Sequence, residues 1–204
     1  NRGRTSFMIL TALLLVVAQT PAQDPRYERL NPDTRGRVIA IIDSARGAGL
    51  PSEPLIQRAL EGSMKNAAGD RIVAAVRRLV VDLGTAREAL GSKATTPELE
   101  AGVAALRAGA TPATLTRLRD LRKPPVTMAL AVLADLVASG VPADSATAAL
   151  LVLAPTVRDA DLVEFRRAVE RDIALGAPPA SATSVRAAAA DLNATGRNAQ
   201  PGKP

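Results

Sequence analysis

The chain contains no histidine, no cysteine and no tryptophan, and Phe7, Tyr27 and Phe165 are its only aromatic residues among 204 positions. Without cysteine there are no disulfides, thiol nucleophiles or lipid-modified cysteine anchor. Without either residue type, imidazole bases and the usual zinc sites are excluded. The scarcity of aromatics argues against platforms that stack bases or cage cations. Serine and threonine remain as nucleophiles, but only lysine and carboxylates are left to activate them. No Gly-x-Ser-x-Gly elbow, phosphate loop or dinucleotide fingerprint is present. Ser63, close to Lys65, is the nearest approach to a Ser–Lys dyad and sits in a glycine-containing break. Catalysis is therefore not expected, and no cofactor is implied.

What remains is 47% hydrophobic and 23% charged, enough for one ordinary core of Leu, Val, Ile, Ala and Met. A turn phrase recurs before apolar stretches: Gly49-Leu50-Pro51, Gly140-Val141-Pro142 and Gly176-Ala177-Pro178, with a longer form at Gly109-Ala110-Thr111-Pro112. Glycine just past a helix end supplies the left-handed residue that closes the last turn. Proline then presets φ for a new first turn, where its missing N–H costs nothing. The phrase thus stops one helix and starts another. It predicts an all-α fold, an irregular stack of helix-turn-helix units with about eight or nine helices.

The N-terminus reads as an address. Arg2 and Arg4 precede an apolar run from Phe7 to Ala18, followed by Gln19-Thr20-Pro21-Ala22. A charged start, an apolar run too short to span a bilayer and a small-residue cleavage site make residues 1–22 a signal peptide. A buried first helix or a retained anchor is the alternative. The expected location is the periplasm or the extracellular space. The net charge of +6 falls to +4 when Arg2 and Arg4 leave with the leader, and the basic residues are mostly arginine, with lysine only at Lys65, Lys93, Lys123 and Lys203. Such a charge suits contact with anionic envelope polymers or lipid head groups.

Along the mature chain, residues 23–31 read as a short extended lead-in, 32–192 as the helical repeat domain and 193–204 as a disordered tail. Val38, Ile41, Ile42 and Ala45 are spaced as one helix face, and Leu55, Ile56, Ala59 and Leu60 as a second. Asp70 reads as the cap of a long third helix carrying Ile72, Val76, Leu79, Leu83 and Leu90, with Gly84 in its middle. Thr96-Pro97-Glu98 and Thr111-Pro112 open two more helices, and Pro124-Pro125 stops the second of these. Val126 to Ala138 and Ala143 to Ala154 are apolar nearly all round and are expected to form the interior hairpin. Each is too short to be a membrane span. Asp159 to Leu175 and Pro179 to Leu192 complete the set.

Superposing Gly49-Leu50-Pro51 on Gly140-Val141-Pro142 also places Asp70 on Asp161, each just ahead of an apolar pair. The spacing between units is irregular, which makes this a degenerate duplication and not a regular solenoid. With its leader, the phrase Gly49 to Leu55 and the segment Asp70 to Arg77, the chain resembles a group of exported, Ala-rich, all-helical bacterial proteins with repeated Gly-x-Pro turns. The resemblance implies no activity and brings no site residues.

Three candidate features stand out. The basic stretch Arg117, Arg119, Arg122 and Lys123 can form a patch for an anionic partner, although Asp120 interrupts it. Asp159, Asp161 and Glu164 are acids near a helix start, where the helix dipole favours them without any metal. Asp135 is the only charge between Lys123 and Asp144 and reads as the edge of its helix that meets water. The expected function is a non-catalytic binding or structural module of the bacterial envelope, with an envelope protein or anionic polymer as partner and no nucleic acid. The alternative is a carboxylate-dependent hydrolase or lyase in which acids such as Asp135 with Asp144 or Asp159 converge in a cleft. A cytoplasmic helix-turn-helix DNA binder requires the leader to be misread.

Overall fold

A computed structural model describes residues 24–199, and the proposed signal peptide lies outside the described residues. Among the described residues the fold is all-helical, with no strands. Nine α-helices follow one another: α1 (Pro32–Gly47), α2 (Glu53–Met64), α3 (Gly69–Leu90), α4 (Thr96–Arg107), α5 (Pro112–Leu121), α6 (Thr127–Ala138), α7 (Ala143–Leu153), α8 (Asp159–Ala174) and α9 (Pro179–Ala199).

The glycine phrases act as read. At Gly140, φ is +92°, its N–H donates to the carbonyl of Val137 and the Val141 N–H reaches back to Leu136. That pair of bonds closes the helix end and tucks Val141, 2% exposed, into the core. The same two bonds recur after α1, α4 and α8. The break after α2 uses the same geometry with Asn66, at φ +53°, in place of glycine.

The order and packing of elements run in parallel in two sets of helices. Helices α1 to α4 correspond in order to α6 to α9: α1 packs on α3 as α6 does on α8, and α3 packs on α4 as α8 does on α9. Helix α5 connects the two sets through α3 and α7, and α4 meets α6 directly. Helix α6 carries five buried apolar residues, from Ala129 to Leu136, and packs against α4, α7 and α8 as an interior helix must. The correspondence breaks at one place. Helix α7 packs along α9, whereas its counterpart α2 packs along α3.

Three expectations are corrected. The lead-in is not extended: Pro25–Arg29 is a 3-10 turn, capped by Asp24, whose carboxylate accepts the Arg26 N–H at 2.9 Å. It is held because Tyr27 and Leu30 are each only 2% exposed. Asp70 lies in the first turn of α3 and does not cap it; the cap position is Ala68, and Asp70 binds Arg37 of α1 at 2.7 Å. The last helix does not end at Leu192 but runs on to Ala199. Its inward stripe of Thr183, Ala187 and Ala194 stays buried, and small residues suffice to pack there. Residues 200–204 of the expected tail lie outside the described residues.

Candidate functional site

Of the four basic residues expected to form an anionic-partner patch, two are committed elsewhere. Arg119 donates to the carbonyl of Ala89 in the last turn of α3 at 2.9 Å and also binds Asp120. Arg122 donates to the carbonyls of Ala154 at 3.2 Å and Val157 at 2.6 Å, and pairs with Asp159. Its side chain is 12% exposed. Arg117 and Lys123 remain exposed. Arg87 of α3 repeats the pattern on the carbonyls of Ala48 and Gly49, just past α1. A guanidinium placed on free carbonyls at a helix C-terminus satisfies acceptors and complements the dipole. Arg87, Arg119 and Arg122 therefore clasp helix ends across neighbouring units.

The acids are used in the same structural way. Asp159 serves Arg122, Asp161 binds Arg158 at 3.1 Å and Glu164 binds Arg167 at 2.8 Å. Asp135 sits at the wet edge of α6, half exposed, and binds Arg166 at 2.9 Å. Asp144 is exposed in the first turn of α7. Among the described residues no cluster of three acids has metal-binding geometry. Glu98 is the buried acid, 5% exposed. One carboxylate oxygen accepts the Thr95 N–H and hydroxyl at 3.0 and 2.9 Å; the other accepts the Val126 N–H at 3.0 Å. Burial pushes its pKa up, but these hydrogen bonds outweigh it and hold the carboxyl below its ordinary value. It ties the start of α4 to the entry of α6. The Thr-Pro-Glu sequence showed the helix start; that the second oxygen reaches Val126, 28 residues away, is a tertiary fact no local pattern carries.

A groove of about 600 Å³ lies between α2 and α4, where α2 departs from the position of its counterpart α7. Leu79 and Leu83, one turn apart on α3, form its floor. Each wall is one stripe of a helix: Pro54, Gln57, Arg58 and Glu61 on α2 face Glu100, Val103, Ala104 and Arg107 on α4, both at i, i+3, i+4, i+7. Leu60 and Met64 extend the α2 side, and Met64 is 69% exposed. Gly102 seats α4 deeply at the other flank, since a Cβ there would meet Leu90, Ala86 and Leu115 at 3.1–3.3 Å.

Charge collects on the rim. Arg58 binds Glu61 at 2.8 Å, and Glu61 also takes Lys65. Lys65 first, then Arg58, lower the Glu61 pKa. Arg107 is held by Asp82 through two bonds of 2.9 and 2.6 Å to one oxygen. Arg29 and Glu100 form no ion pair among the described residues. A volume in the range of small-ligand and peptide pockets, an apolar floor and a few charged groups at the edge suit an apolar segment more than a polar metabolite. The sequence pattern marks the buried face of α2, Leu55, Ile56, Ala59 and Leu60; the groove-facing side of α2 is mostly polar and carries no apolar period that singles it out.

No protein-family model, no curated protein and no solved structure matches the chain.

Proposed function

We propose that this is an exported, non-catalytic helical binding module of the bacterial envelope, and that the groove between α2 and α4 receives an apolar segment of a partner protein. The leader-like residues 1–22 support export. The observation that carries the binding reading is the groove itself. The duplicated half closes the corresponding position by packing α7 on α9, whereas here a channel remains, with Met64 exposed on its wall and the buried Leu79 and Leu83, 9% and 0% exposed, beneath it. Helix-in-groove recognition needs an apolar floor of this kind, with rim charges that fix orientation. The carboxylate-hydrolase alternative finds less support, since Asp135 and Asp159 each serve an arginine of a neighbouring element.

The test is affinity capture of the mature chain from envelope extracts, compared with Ala104→Trp. That residue is exposed on the α4 wall, so the indole fills the groove without entering the core. A protein retained by the wild type and by Ala40→Trp, on the outer side of α1, but lost with Ala104→Trp supports the reading. An identical captured set for all three chains contradicts it.

A further inference from the structure

Apart from the groove, we infer that the outer face of α9 is a self-association surface on which two copies of this chain pair with their α9 helices antiparallel. The exposed side of α9 from Ala180 to Gly196 carries no ionisable residue. The two ionisable side chains within that span lie on its flanks and are paired: Arg186, its side chain 42% exposed, binds Asp172 at 2.6 and 2.7 Å, and half-buried Asp191 accepts from Thr156 at 3.0 Å. In their place the outer face presents Val185, 65% exposed, and Leu192, 73% exposed, with Ala188 and Ala189 between them. The terminal helix of a stacked array is normally polar on its outside, because no further unit covers it. Helix α1 follows that rule, with Asp33, Asp43 and Arg46 exposed. Helix α9 does not.

The occupant follows from charge and from register. Copies of a chain with net positive charge repel one another whichever faces meet, and an uncharged face adds no like-charge or desolvation cost at the contact itself. Seating α9 on the α1 end of another copy would instead bury aspartate and arginine. A two-fold pairing brings residue i against residue j and j against i. The α9 sequence meets that condition about a centre between Ala188 and Ala189. Val185 then faces Leu192 of the second copy, Ser181 faces Gly196, and each central alanine meets its own equivalent beside the axis. Alanines at the crossing let the two backbones approach closely, and the large apolar pairs lie one turn to either side. The contact spans about 23 Å of helix, which places it at the small, reversible end of specific interfaces.

The chain lacks cysteine, so engineered cysteines report the register without background. Sedimentation velocity of the full chain over a concentration series is expected to move from 21.1 kDa toward twice that mass. Leu192→Glu, which alters no buried group, is expected to remain at the lower mass with an unchanged circular dichroism spectrum. On mild oxidation Ala188→Cys should give a covalent dimer, Val185→Cys alone should not, and a mixture of Val185→Cys with Leu192→Cys should. A monomer at every concentration, as would follow if α9 were covered by another part of the same chain, overturns the inference. So does a dimer that survives Leu192→Glu, or cross-linking as efficient at Ala40→Cys as at Ala188→Cys.

Discussion

Individual side chains at the helix ends decide more here than any acid or base arranged for chemistry. Removing Glu98 leaves the buried Val126 N–H and the partly exposed Thr95 N–H without their carboxylate acceptor. Glu98→Ala should cost about 2–3 kcal/mol, seen as a fall of roughly 4–12 °C in thermal unfolding; a loss below half a kcal/mol would contradict the reading. Because the folded Glu98 has a lowered pKa, its contribution is present above the ordinary carboxylate value of 4.5 and is lost as pH falls through the folded value. Acid unfolding of Glu98→Ala should accordingly be less steep than that of the wild type below pH 4.5. The arginine clasps make a second test. Arg122→Ala strips donors from the carbonyls of Ala154 and Val157 and should cost about 1–3 kcal/mol. Arg117→Ala, on an exposed position of the same stretch, should stay within about 0.5 kcal/mol. Equal effects in urea titrations would show that the guanidinium of Arg122 does not hold the α7 end. In the sequence these four basic residues look alike. Three-dimensional proximity to free carbonyls, which composition does not encode, separates Arg119 and Arg122 from Arg117 and Lys123.

At the scale of elements, most boundaries were legible because their causes are local. Glycine and proline act on the backbone of their own residue, so Gly140-Val141-Pro142 announces its turn wherever it stands. Gly140→Ala forces a Cβ into φ +92° and should destabilise by about 1–2 kcal/mol. Gly84, inside α3 with nothing within 4 Å of an added Cβ, should do the reverse. Gly84→Ala is expected to stabilise by roughly 0.5–1 kcal/mol. Paired chemical-denaturation curves check both, and the same sign for the two substitutions would refute the assignment of these glycines. The misreadings share a physical reason. Residues 193–199 show no apolar period and so read as part of a disordered tail. That stretch is helical because Ala194, at 2% exposure, continues the inward stripe of Ala187. Small inward residues give a weak hydrophobic period even when the helix is well packed. The 3-10 turn Pro25–Arg29 was missed similarly, its two buried anchors being too few to make a pattern.

For the molecule as a whole, the duplication was readable from two glycine phrases and two aspartates, but its consequence was not. The equivalence of α1 to α4 with α6 to α9 holds in order and in most packing, and fails where α2 lies on α3 instead of along α4. A departure of this kind leaves no mark in periodicity, since the buried faces of α2 (Leu55, Ile56, Ala59, Leu60) and α4 (Leu99, Val103) are apolar in either arrangement. It opens the channel between α2 and α4, and the proposed binding role rests on it. The most direct measurement places a photo-activated cross-linking amino acid at Ala104, inside the channel, and separately at Ala40, outside it, in the protein produced in living cells. The account expects a discrete adduct with a second polypeptide from position 104 and none from position 40. Adducts of equal yield from both positions, or none from position 104, would contradict it.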